Sequence, residues 1–130
     1  MLRRVLLSLA LSVVVAPVLL LAQAPAPAPN LTGRWTSSFE TQIGMQEYTW
    51  DFVAKGSTLT GTASSNMEGK SEVRDGRIEG ATVTFKETLT FMEMAIEIVY
   101  TGQIVSADEI KFSRAVGEFA TEELVAKRAK

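Results

Sequence analysis

From Leu31 onward, apolar and polar residues alternate, broken by turn-forming clusters about every eight to twelve residues. The alternation is clearest where Val83, Phe85, Leu89 and Phe91 oppose Thr82, Thr84, Lys86, Thr88 and Thr90. It is equally plain where Met94, Ile96, Ile98, Tyr100 and Ile104 oppose Ala95, Glu97, Thr101 and Gln103. Period two with one apolar face predicts half-buried antiparallel strands. Threonine on the other face suits both β structure and solvent.

Eight strands follow. They are expected at about Gly33 to Thr41, Gln46 to Ala54, Thr58 to Ser65, a short Lys70 to Arg74, Ala81 to Phe91, Met94 to Val105, Glu109 to Val116 and Phe119 to Arg128. Lys55-Gly56-Ser57, Asn66 to Gly69 and Ser106-Ala107-Asp108 read as turns, and Asp75-Gly76 carries the strongest hairpin signal. The fifth stretch begins near Arg77 and breaks at Glu79-Gly80. The last segment is contested: Thr121-Glu122-Glu123-Leu124 resembles a helix start, with Lys and Arg at the far end. A strand there closes the sheet and removes its open edge, which decides for strand. The prediction is an all-β domain, an eight-stranded antiparallel up-and-down barrel.

Ahead of the barrel the pattern changes. Arg3 and Arg4 precede a run from Val5 to Ala22 interrupted only by Ser8, Ser12 and Pro17, and Ala22-Gln23-Ala24 forms a small-x-small site. This reads as a signal peptide over 1–24, cleaved after Ala24. A retained membrane anchor is the alternative, since the apolar run approaches the ~20 residues that span a bilayer. Residues 25–30 form a Pro/Ala linker, expected to be extended, and 31–130 form the barrel domain. The expectation is export to the periplasm or medium, with no membrane insertion of the mature domain.

Composition then removes whole classes of chemistry. The chain has no cysteine and no histidine. Metal sites built on either residue are excluded, as are Ser-His and Cys-His nucleophile pairs, and no metal or other cofactor is expected. An exported domain without disulfides must stand on its core and its strand ladders. The 13 basic and 15 acidic residues give a net charge of −2, and loss of Arg3 and Arg4 takes it to −4. That balance favours solubility and no nucleic-acid partner.

Three sets of residues stand out. The first is Gly33-Arg34-Trp35 on the first strand with Ala126-Lys127-Arg128 on the last. Here the sequence resembles the calycin superfamily: lipocalins, fatty-acid-binding proteins and avidins. The resemblance implies that Trp35 packs under Arg128, a planar guanidinium on an indole face, with Gly33 beside them, as barrel closure. Leu31-Thr32-Gly33-Arg34-Trp35 and Leu59-Thr60-Gly61-Thr62 are also similar to avidin strands. Avidins, however, wall biotin with several tryptophans on later strands, and only Trp35 and Trp50 occur here, so biotin is not the expected ligand. The phrases Leu59-Thr60-Gly61-Thr62, Asp75-Gly76 and Ala126-Lys127-Arg128 also resemble small uncharacterised β-domains of secreted bacterial proteins, a likeness that implies no activity.

The second set is aromatic and sulfur-bearing. Trp50 and Phe52 share a face with Tyr48, while Phe91, Met92 and Met94 cluster at the fifth turn, with Met45 and Met67 at other loop ends. Methionines at one mouth would make an adaptable apolar entrance; ordinary core and loop filling is the alternative. The third set is charged. Alternation aims Glu87 and Arg114 inward, which predicts a Glu87–Arg114 pair across the barrel, since an unpaired buried charge is costly. A bulge that shifts register by one residue would put both outside.

The reading that follows is a binding barrel for a small apolar molecule, with Glu87, Arg114, Trp50, Tyr100 and Met94 as ligand-binding residues and no catalytic residue assigned. A filled barrel acting in structure or protein interaction is the alternative, and its core would have no cavity. An enzyme would have to use Glu87, Arg114, Tyr48 or Tyr100. Glu87 is the one acid expected inward, short of the carboxylate pair that glycoside hydrolysis needs.

Overall fold

The structure is a computed structural model that describes Val14 and residues 29–130. Apart from Val14, the leader expected over 1–24 lies outside the described residues, as does most of the linker. Eight strands run β1 (Gly33–Thr41), β2 (Gly44–Lys55), β3 (Thr58–Ser65), β4 (Gly69–Glu79), β5 (Thr82–Phe91), β6 (Met94–Ser106), β7 (Glu109–Val116) and β8 (Ala120–Arg128). Each pairs antiparallel with its sequence neighbour, and β8 returns to β1 to close the barrel.

The expected architecture is therefore present, including the contested last segment. Residues from Ala120 to Lys127 pair with β7 along its whole length, from Val116 to Glu109. Those pairings outweigh the helix propensity of Thr121 to Leu124. One expectation fails. Asp75-Gly76 makes no hairpin but lies inside β4, where the register on both neighbouring strands slips. Asp75 takes φ 51° and Gly76 presses against β3, where a Cβ would stand 2.0 Å from the Leu59 carbonyl oxygen. The pair is a bulge, the device that bends a strand round a tight barrel. The chain reverses instead beyond Glu79, where Gly80 has φ 58°.

Up-and-down topology puts alternate loops at alternate ends. The β2–β3, β4–β5 and β6–β7 turns share one end with the segment entering β1 and the exit of β8. There the barrel is filled: Leu31, Trp35, Phe52, Leu59, Val83, Phe85, Ile110 and Phe112 are all buried. The guanidinium carbon of Arg128 sits 4.6 Å from the Trp35 ring centroid. Its N–H groups donate to the carbonyls of Asn30, Thr32 and Ala107 at 2.8–3.1 Å. The Trp35 indole donates to Leu31 O at 2.9 Å. Gly33 (φ 134°) leaves room for this cap, since a Cβ would meet Arg128 Nη1 at 3.0 Å.

Candidate functional site

Inward positions on β2, β5, β6 and β7 build the middle of the barrel. On β2 they are Gln46, Tyr48, Trp50 and Phe52; β5 adds Phe85 and Glu87, β6 Tyr100, and β7 Phe112 and Arg114. Phe85 stacks on Tyr100 at 4.3 Å between centroids, and Tyr48 stacks on Trp50 at 5.0 Å. This aromatic layer separates the filled end from a polar cluster.

Glu87 and Arg114 both point inward, at 1% and 0% exposure. The pair expected between them is indirect. Glu87 Oε1 accepts from Trp50 Nε1–H at 2.9 Å, and its Oε2 lies 3.3 Å from the Tyr100 hydroxyl and 3.4 Å from that of Tyr48. Arg114 donates to those same hydroxyls, through Nε to Tyr100 at 2.9 Å and Nη2 to Tyr48 at 3.0 Å. Its carboxylate partners are Glu68 at 2.7 Å and Glu122 at 2.9 Å. Glu87 is thus not the sole inward acid.

Sequence reasoning missed both partners and Gln46, whose Nε2 donates to Glu68 Oε1 at 2.9 Å. Gln46 shares parity with Tyr48 and Trp50, and Glu122 with Leu124 and Ala126, so a period-two signal existed for each. Glu68 sits in the β3–β4 turn, where no periodicity operates.

Three carboxyl groups surround one guanidinium, and they do not share it equally. Burial pushes the Glu87 carboxyl above its ordinary value of 4.5, against the pull of the Trp50 N–H and of Arg114. Burial likewise raises the Tyr48 and Tyr100 phenols, with the nearby Glu87 adding to it. Burial works against the Arg114 charge, but the surrounding phenols and Glu68 outweigh it and keep the guanidinium protonated. Tyr48 has one proton to give and lies in close contact with Glu68. A proton on Glu87 removes the competition for it.

A stability trend follows. A carboxyl raised in the fold contributes stability fully present below about pH 4.5, its unfolded value, and lost as pH climbs through the folded pKa. Glu87→Gln copies the protonated form and lacks that slope. Urea unfolding of both proteins from pH 4 to 8 should show the variant gaining on the wild type as pH rises. A constant difference would mean that Glu87 titrates normally.

Above the cluster the barrel opens. The loops at this end leave a cavity of about 380 Å³, open to solvent at the top. Its walls include Leu89, Met94, Ile96, Val116 and Phe119, and its floor carries Gln46, Glu68, Arg114 and Glu122. Met45, Met67, Met92 and Met94 belong to loops or strand ends at this same end.

No protein-family model, curated protein or solved structure matches the chain.

Of the five residues expected at a ligand, Arg114 and Met94 line the cavity. Glu87, Trp50 and Tyr100 do not; Tyr100 accepts from Arg114 Nε, and Glu87, which accepts from Trp50, is linked to Arg114 only through the phenol hydroxyls. The β5–β6 turn carries strain as well, for Met92 (φ 49°) and Glu93 (φ 66°) occupy positions that favour Asn-Gly. Met92 is held 82% exposed at the rim. Strain of that kind in a loop is a pointer to use.

Proposed function

We propose that this is a non-catalytic binding barrel, calycin-like in plan, that holds a small apolar molecule in the cavity at its open end. The carrying observation is the cavity itself: about 380 Å³, apolar walls and a few convergent polar groups at the floor. Ligand pockets commonly run from roughly 300 to 1,000 Å³ with that division of labour. Below the floor the interior is packed, so the ligand is small and sits in the upper half of the barrel. The exterior carries Thr, Lys and Glu on its outward positions, among them Thr49, Thr62, Lys86, Lys111 and Glu123. That face suits water, in keeping with a domain exported to the periplasm or medium by the leader expected over 1–24.

The second reading is a protein-interaction barrel. It is favoured by Ile43, Phe91, Met92 and Phe119, each more than half exposed around the same mouth.

Native mass spectrometry of the protein purified gently from its own source tests the first reading, together with Ala120→Trp. Ala120 lines the cavity and is only part-buried, so a Trp there fills space without overpacking the core. The expected result is a small added mass on the wild type and its loss in the variant at unchanged thermal stability. A bare protein mass, with no thermal shift across a panel of aliphatic and aromatic compounds, favours the interaction barrel.

A further inference from the structure

Two buried acceptors at the cavity floor lack a partner, Gln46 Oε1 and Glu122 Oε2. Gln46 is only 1% exposed, and its amide cannot be turned to cure the defect. Its NH₂ must face Glu68 Oε1, because a carbonyl there would confront a carboxylate. Glu122 gives Oε1 to Arg114 and leaves Oε2 idle, with its side chain 11% exposed. A buried polar atom without a partner costs stability and calls for an explanation.

The charges at the floor point the same way. Arg114 is the one cation lining the cavity among the described residues, and it faces Glu68 and Glu122 together. Even with Glu87 neutral, the floor therefore carries one negative charge in excess. Arg114 already makes four hydrogen bonds to protein, so an arriving carboxylate would compete with two carboxylates in place. What the floor lacks is a donor and a positive charge. Both side chains line the cavity, and their terminal torsions are soft.

We propose that the cavity takes an amphiphilic amine, its ammonium head donating to Gln46 Oε1 and Glu122 Oε2 and its apolar body lying along Leu89, Met94, Ile96 and Val116. This rests on the binding reading above and assigns the head group. An ammonium offers three donors and one charge, which matches two idle acceptors and one excess negative charge. The same geometry disfavours a fatty acid.

Isothermal titration of the barrel at pH 7 with octylamine, octanol and octanoate separates the possibilities. Octylamine should bind at least tenfold more tightly than octanol, with octanoate weakest of the three. Glu122→Gln, which keeps the Arg114–Glu68 contact, should narrow the ratio of amine to octanol affinity at least threefold. Octanoate binding as tightly as octylamine, or octanol equal to it, overturns the head-group assignment while leaving the apolar cavity in use. No binding by any of the three overturns the cavity reading itself.

Discussion

Replacing Arg114 with Leu should destabilise the barrel by about 3–5 kcal/mol, the usual cost of removing one partner from a buried ion cluster. The side chain is fully buried and, among the described residues, is the only cation paired with Glu68 and Glu122. Its loss leaves two carboxylates without their cation and two phenols stripped of a donor. For a small domain whose whole stability is typically about 5–15 kcal/mol, that is a large share. Equilibrium urea unfolding measures it. The informative companion is the triple variant Arg114→Leu, Glu68→Gln, Glu122→Gln, which removes the stranded charges with the guanidinium. It should recover more than half of the loss, because the damage lies in the uncompensated acids and not in a missing attraction. A triple variant as unstable as the single one would place the damage in packing around the guanidinium.

Trp35→Ala at the opposite end should cost a similar amount, about 3–5 kcal/mol, from cavity formation under the cap. Trp35 is fully buried, holds Leu31 O through its indole N–H, and is the surface on which Arg128 lies. Arg128→Ala alone should cost less, because its side chain is 26% exposed and the carbonyls it releases can reach water. The double variant then measures the stack. A coupling of about 1–2 kcal/mol between the two positions is expected for a partly desolvated cation over an indole. Additive losses would reduce Arg128 to a binder of loop carbonyls. Neither change should alter ligand affinity at the far end, so the two ends are separable by experiment.

That separation explains which parts of the molecule were legible in its amino acids. Strand number, order and inward faces follow from period-two patterning, which local physics imposes wherever a strand has one wet and one dry side. Val83, Phe85 and Glu87 could be read in this way, and so could Ile110, Phe112 and Arg114. Asp75-Gly76 misled because a bulge and a two-residue hairpin ask for the same backbone, positive φ beside a residue without a side chain. What tells them apart is the strand opposite, here Leu59 on β3. Glu68 was invisible for a different reason: it reaches Gln46 and Arg114 from the β3–β4 turn, and no periodicity records where a turn side chain goes. The Glu87–Arg114 pairing failed at one remove, since inward direction follows from parity but the partner depends on height within the barrel.

The closing seam has a consequence for how this chain comes to exist as a barrel. β1 and β8 share only two register pairs, Trp35 with Arg128 and Thr36 with Lys127, supplemented by Ser37 Oγ donating to Val125 O at 2.7 Å. These contacts join the two most distant parts of the domain, so ring closure carries the largest loop entropy of any step in its assembly. Every other pairing can form between neighbours as they emerge. Until β8 arrives, the barrel is a seven-stranded sheet with two bare edges, each able to recruit a stranger. A protein shortened before Ala120 is therefore not a smaller barrel; it is an open ribbon with a tendency to polymerise.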